Sequence, residues 1–430
     1  MARPHADPAS ALEYQRRGVH ARHHRPGQRV GALIAGGLVG TLLVACAAPA
    51  RFGVATTIVK PTGNCDTSRV VGVGASLALS GRQAALGREY LAGLEMAVRH
   101  VNHTGGILGN HSCLELLYKN DGGSVPVADR AVLDLANREM VAFLVGPLLS
   151  TQTQSARGDL AVAGIPTASF SGLADTFRRD RYPWTFPLAS SIPTVVASMA
   201  AFAHSNGWSR VGVVASDDTV GRQGTAAFGT MARRDRLTVA GPVFVSPGRS
   251  PKQGLQRLRE ADPDGLVVID DSLDVAAVLK ARTDLRWGVP VVAESVATDQ
   301  AVIASVGRTN LAGVFAAVPQ AVVAQPGTSD ADVRRFRDQV RDQLHAVTLD
   351  GSIVPYAQAY DAISMMASVT RSIHSKTPAN VRTFLENANY QGLLASYSYT
   401  ATAHTGIPGD QSTIVPVTSL TNGLFRPAPG

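Results

Sequence analysis

The stretch 70–120 constrains the fold more than any other part of this chain. Residues 70–77 (VVGVGASL) are small or β-branched and lead into the polar Ser80, Gly81, Arg82 and Gln83, which reads as a strand entering a turn. Tyr90, Leu91, Leu94, Val98 and Val101 then recur at steps of three and four, placing them on one face of a helix that Gly105 and Gly106 stop. A second apolar strand follows at 114–118 (LELLY) and runs into Lys119, Asn120, Asp121, Gly122 and Gly123. A helix between two apolar strands favours parallel pairing, which puts the polar loops at the carboxyl ends of both strands. In an open parallel sheet, ligands bind at those ends.

The alternation continues along the chain. A helix at 127–139, a strand at 141–145, a helix at 151–163 and a short strand at 166–169 complete a doubly wound lobe. The segment 182–189 (YPWTFPLA) interrupts the pattern and reads as a crossing. Beyond it, helices at 193–204, 221–234, 252–261 and 273–285 alternate with strands at 211–215, 243–245, 266–269 and 289–293, describing a second lobe of the same kind. Helices near 332–344 and 356–375, then strands near 394–399 and 414–418, imply that the chain passes between the lobes again. The expected fold class is therefore α/β, with two doubly wound parallel-sheet lobes and a cleft between them. The expected division is 66–190 plus 316–392 for lobe 1 and 191–315 plus 393–430 for lobe 2.

The N-terminus reads as a targeting segment. Six arginines (Arg3, Arg16, Arg17, Arg22, Arg25, Arg29) oppose Asp7 and Glu13 before residue 46, and an apolar run at 30–45 is shorter than the roughly 20 residues a membrane span prefers. The leader carries a net +4 of the chain's formal +7, leaving +3, too little and too scattered to point to nucleic acid. Leu43, Val44, Ala45, Cys46 resembles a bacterial lipobox, so residues 1–45 are expected to be a signal peptide and Cys46 the site of lipid attachment. Residues 46–65, rich in Ala, Pro, Thr and Gly, are expected to be a flexible tether. Cys65 and Cys113 remain beyond it, at the same ends of neighbouring strands in an exported protein, and are expected to form a disulfide.

Catalytic patterns are missing from the sequence. Gly72 and Gly74 begin a GxGxxG, but Leu77 stands at the third glycine and both glycines lie inside the strand. No GxSxG or HExxH occurs, and the histidines are scattered. Neither an enzyme, a cofactor nor a metal site is expected.

The segments SGRQAALGREYLAGLEMAVRHVNHTGGILG, LELLYKNDGGSVPVADRA and VAFLVGPLLSTQT resemble the type I periplasmic binding proteins, and among them the leucine/isoleucine/valine-binding family of ABC importers. The likeness spans most of 69–420. It implies three crossover segments between the lobes, a small-molecule ligand in the cleft, an ABC permease as partner, no nucleic acid, and a monomer anchored to the extracytoplasmic face of the cell membrane. It further implies a ligand loop at Ser80 and a carboxylate site at Ser150 and Thr151, though Ser150 serves equally well as a helix cap. The next loop is Ser171, Gly172 and Leu173. Leu86 and Val220 stand where the family packs aromatics on its ligand, implying a smaller, aliphatic lining. Glu294, with Ser295 as its neighbour in register, is the expected partner of a ligand ammonium. Asp271, at a strand end, is a second acidic candidate. The altered pocket fits a second class equally well, an extracytoplasmic sensor or scaffold of the same fold.

Overall fold

The computed structural model describes residues 54–324 and 331–426. The first lobe is built from β1 (Thr56–Val59), β2 (Asp66–Leu77), α1 (Ala84–His103), β3 (Ser112–Asn120), α2 (Val125–Asn137), β4 (Phe143–Val145), α3 (Ser150–Ser155), α4 (Arg157–Ala163), β5 (Thr167–Ser169) and β6 (Thr185–Pro187). Its sheet has the order β1-β3-β2-β4-β5-β6, parallel throughout except for the antiparallel β1 edge. The expected unit at its centre is β2-α1-β3. The apolar stripe of α1 is buried, and Asn102 ends the helix by pairing both ways with the backbone of Leu114, at 2.9 and 2.8 Å. Gly87 in α1 is required by a close approach, since a Cβ there would lie 2.1 Å from the Ala78 carbonyl oxygen.

Three expectations are corrected here. Residues 56–59 are not tether: the β-branched Thr-Thr-Ile-Val run pairs with the open edge of β3, and Thr56 donates to Glu139 at 2.6 Å. The helix expected at 151–163 breaks at Ala156 into α3 and α4. The segment 182–189 contains β6, a full member of the first sheet. Cys65 and Cys113 are bonded as expected, with Cα atoms 5.2 Å apart. Cys46 and residues 1–45 lie outside the described residues.

The second lobe comprises α5 (Ile192–Ser205), β7 (Arg210–Ser216), α6 (Thr219–Arg234), β8 (Thr238–Val245), α7 (Lys252–Glu260), β9 (Gly265–Ile269), α8 (Val275–Asp284), β10 (Val291–Glu294), α9 (Gln300–Val306) and β11 (Val314–Pro319). Ser191 caps α5 by accepting from the Thr194 amide, and Asp218 caps α6 by accepting from the Gly221 amide. Gly221 repeats the role of Gly87, because a Cβ there would lie 1.9 Å from the Ser216 carbonyl oxygen.

After β11 the chain forms α10 (Ala331–Gln343), α11 (Val354–Ile373), α12 (Pro378–Leu385), β12 (Asn389–Gln391), β13 (Ser396–Tyr399), β14 (His404–Gly406) and β15 (Ser412–Pro416), then the two-residue strands β16 (Leu420–Thr421) and β17 (Leu424–Phe425). α11 packs on α1, where a Cβ on Gly93 would lie 2.3 Å from the Tyr356 carbonyl oxygen. β15 returns to the second sheet, antiparallel to β11, giving the order β15-β11-β10-β9-β7-β8. The chain therefore crosses between lobes three times. Two boundaries shift from those expected. β11 belongs to the second sheet, so that lobe runs through 319. The small sheet β12-β13-β14 rests on the first lobe, with the Tyr399 hydroxyl on the Pro187 carbonyl at 3.0 Å and His404 Nδ1 on that of Thr185 at 2.6 Å. The third crossing accordingly falls after Ile407. β13 falls within the strand expected near 394–399, with Tyr397 and Tyr399 facing inward, while the three-residue β12 and β14 are too short to read from the sequence.

Candidate functional site: the interlobe cavity

Both sheets share one topology. β3-β2-β4-β5-β6 and β8-β7-β9-β10-β11 each run second, first, third, fourth, fifth, so strand order reverses between β2 and β4 and between β7 and β9. Loops leaving the carboxyl ends on either side of such a reversal splay apart and leave a crevice. A cavity of about 150 Å³ lies there. Its wall is drawn from both lobes: Leu148 and Leu149 follow β4, Phe170 and Gly172 follow β5, Asp271 follows β9, and the segment Ser295 to Asp299 follows β10.

Most of the wall is apolar. Leu86 and Tyr90 project from α1, Ile192 and Val195 from α5, and Val354 from α11. The Tyr90 ring leans on Phe170, with centroids 4.5 Å apart, and its hydroxyl donates to Gln358, whose amide in turn donates to the Leu188 carbonyl at 2.7 Å. Three carboxyl side chains interrupt this surface, Asp271, Glu294 and Asp299.

The lobes touch through a set of polar ties. The Ser150 hydroxyl donates to Asp271 Oδ2 at 2.5 Å while accepting from the Gly172 amide at 3.2 Å. The Leu273 amide donates to the Gln83 side chain at 3.0 Å, the Ala174 amide donates to that of Gln223 at 2.8 Å, and Arg82 pairs with Asp274. Glu89 of α1 lies against Asp299, the cap of α9, so a buried carboxyl from each lobe meets there.

Burial governs the titration of this acidic group. It pushes Asp270 up to about 8, and Asp271 up to about 6 against the pull of the Ser150 hydrogen bond. Glu294 is held well above the usual carboxylate range by burial first and by the charges of Asp271, Asp270 and Asp218 second. Burial also raises Glu89 and Asp299, and Glu89 is raised further by the charge of Asp299. A carboxyl whose folded-state pKa is raised binds its proton more tightly folded than unfolded. Its contribution to stability is complete below the ordinary value of 3.8 and is lost as pH rises through the folded value. The protein without ligand is therefore expected to lose on the order of 5 °C of melting temperature between pH 4 and pH 8. Asp270→Asn, which keeps an oxygen for the Ser272 amide and hydroxyl, should flatten that fall. A melting series across this range checks both; a rise in stability with pH would refute the acidic account.

The expected site residues divide into two groups. Leu86, Gly172, Asp271, Glu294 and Ser295 line the cavity. Ser150 adjoins it through Asp271, and its hydroxyl, expected to face a ligand carboxylate, is engaged with a carboxylate of the protein itself. The others are placed elsewhere. Val220 is fully buried in the core of the second lobe, because the first turn of α6 rotates it inward, and Leu173 joins the same core. Ser171 is buried, pairing with Thr176 at 3.0 Å and accepting from the Leu173 amide. Ser80 is exposed and pairs with Asn120, and Thr151 is half-buried on α3 outside the wall. Tyr90, Phe170, Gln358 and Asp299 were not anticipated. Tyr90 reads in sequence as one more residue of a core-facing stripe, and Asp299 reads as a loop acid.

Comparison with known proteins agrees with this architecture. A family model described as periplasmic binding protein matches residues 70–419. An extracellular ligand-binding receptor from Rhodopseudomonas palustris HaA2 superimposes with a TM-score of 0.73 at 15% identity, covering 83% of this chain and 99% of that one. The branched-chain amino acid transporter substrate binding protein LivJ from Streptococcus pneumoniae, solved with isoleucine, gives 0.67 at 15% identity over 81% and 99%. Glutamate receptor 3.7 of Arabidopsis thaliana is 24% identical over 184 residues, 42% of this chain but only 19% of the receptor's own length. With a family match across 70–419 and two doubly wound lobes crossed three times, this chain belongs to the periplasmic binding protein family and has its type I fold.

Proposed function

We propose that the chain is an extracytoplasmic solute-binding lipoprotein that captures a small polar or amino-acid-like ligand between its lobes and delivers it to an ABC importer. The observation that carries this reading is the cavity at the paired switch points, with Glu294 Oε1 buried in its wall and without a hydrogen-bond partner. A buried acceptor left unpaired costs free energy that a ligand donor recovers. Support for export and anchoring comes from the leader and Cys46, and support for delivery from the likeness to LivJ, a transporter substrate-binding protein. In this reading the protein acts as a monomer on the outer face of the membrane, and its partner is the permease.

A second reading, an extracytoplasmic ligand sensor, draws on the segment shared with a plant glutamate receptor. Permease and ATPase genes beside its own favour import; a kinase gene favours sensing. The binding role common to both readings is tested by a thermal-shift screen of the full-length protein against amino acids, amides, amines, aliphatic acids and small aromatics. A true ligand at 100 times its Kd adds about 2.7 kcal/mol and moves the midpoint by several degrees. A screen in which nothing moves it would remove the main support for solute binding.

A further inference from the structure

The polar groups of the cavity wall specify what chemistry a ligand must bring. Several of its donors are committed within the protein: Tyr90 to Gln358, Gln358 to Leu188, and Thr298 to the Ser295 carbonyl at 2.6 Å, while Ser190 and Ser412 share one bond at 3.4 Å. The Ser150 hydroxyl and Gly172 amide, which would hold an incoming anion, are spent on Asp271 and on each other. The wall contains no Lys, Arg or His, and it contains three carboxyls. Glu294 Oε1 is buried and unpaired, an acceptor awaiting a donor. An anion entering here would meet carboxyl groups and no cation, whereas an ammonium would meet acceptors.

We propose that the ligand of this cavity is a small organic cation, a primary amine on a compact apolar body with no carboxylate of its own, and that Asp271 fills the place beside Ser150 that such a carboxylate would take. The inference rests on the solute-binding reading and narrows its ligand. Size agrees: a cavity of about 150 Å³ matches the roughly 150 Å³ known to accept a single aromatic ring. Leu86, Tyr90, Phe170 and Val354 would enclose the body, and Glu294 would receive the ammonium. Among the described residues no three carboxyl, imidazole or thiol groups gather as a metal site, which favours an organic cation over an inorganic one.

The facing charges also set a pH signature. Asp270, Asp271 and Asp218 of the second lobe bear on Glu294, and Glu89 from α1 lies against Asp299. Amine affinity should therefore climb from pH 5 to pH 8 as these groups ionise around the ammonium, a dependence that a merely structural Glu294 would not produce.

The test is calorimetric titration of the full-length protein at pH 7.5 with benzylamine, isopentylamine, benzoate, isovalerate and leucine. One or both amines should bind one to one, with the two acids and leucine silent. Glu294→Gln should weaken amine binding by about tenfold or more, and Glu294→Asp should weaken it less. Melting curves of both variants identify any loss due to misfolding, and the pH profile of the unaltered protein then decides. Binding of leucine or an acid without the amines overturns this inference and leaves solute binding standing. Amine binding that ignores Glu294→Gln and pH also overturns it. Silence from all five probes overturns it and counts against the solute-binding reading as well.

Discussion

Replacing Cys113 with Ser, or reducing its bond to Cys65, is expected to destabilise the protein by about 4 kcal/mol. The bond closes a loop of 48 residues, and on the chain-entropy model a link of that length removes about 4 kcal/mol of conformational freedom from the unfolded chain. Its position gives the loss structural consequence. It joins the entry of β2 to β3, and β2 and β3 form the centre of the first sheet, with α1 crossing between them. Cys113 itself is fully buried, so Ser there also loses apolar contact. Denaturant titrations of oxidised and reduced protein, compared at unchanged slope, measure the effect. A difference under about 1 kcal/mol would mean that the unfolded chain is already held compact in this region.

A loss of similar size is expected for Asp361→Ala. Asp361 lies on α11, 1% exposed, and accepts from the Leu393 amide at 2.7 Å, the Leu394 amide at 3.1 Å and the Tyr397 hydroxyl at 2.8 Å. It thereby fixes the turn between β12 and β13 against the first lobe. Burial pushes its carboxyl up to about 6, and those three donors restrain the rise. Alanine strands two buried amides and a tyrosine hydroxyl at about 1–3 kcal/mol each, so a total near 4 kcal/mol is expected. Asp361→Asn keeps an acceptor and should recover part of it. The comparison of the two variants by denaturant midpoint separates lost hydrogen bonds from lost packing. Equal losses would assign the effect to packing instead.

Both lobes were legible in the sequence because period and punctuation agreed. In β2-α1-β3 the β-branched strand, the three-and-four stripe from Tyr90 to Val101 and the double-glycine stop point to one outcome. Where these signals diverge, the reading failed. β1 hides in an Ala/Pro/Thr-rich segment, and only the open edge of β3 gives its four residues a partner. The break at Ala156 follows a continuous helical pattern. Of the small sheet only β13 is legible; β12 and β14 are three residues long and owe their order to Asp361 and to β6, neither of which is local.

The site was legible at strand ends and obscure on helices. Asp271 follows β9, Glu294 ends β10 and Gly172 follows β5; the strand-end rule reaches Asp271, and the family resemblance reaches the other two. Val220 is misplaced because a resemblance in position does not fix the rotation of a helix, and α6 turns it into the core. Tyr90 and Asp299 escaped notice for a related reason. Each already has a local role in sequence, one in an apolar stripe and one as the acidic residue before α9, and only the meeting of two lobes gives either a place in a cavity.

The central claim is that one small molecule binds in the cavity between the lobes. Its most direct test is Leu86→Trp, which sends an indole from α1 into a space of about 150 Å³. The full-length protein and this variant are compared by calorimetry with whichever compound shifts the melting midpoint. The account predicts one-to-one binding to the unaltered protein and its loss in a variant that melts within a few degrees of it. Undiminished binding to the blocked protein would place the ligand elsewhere and contradict the account.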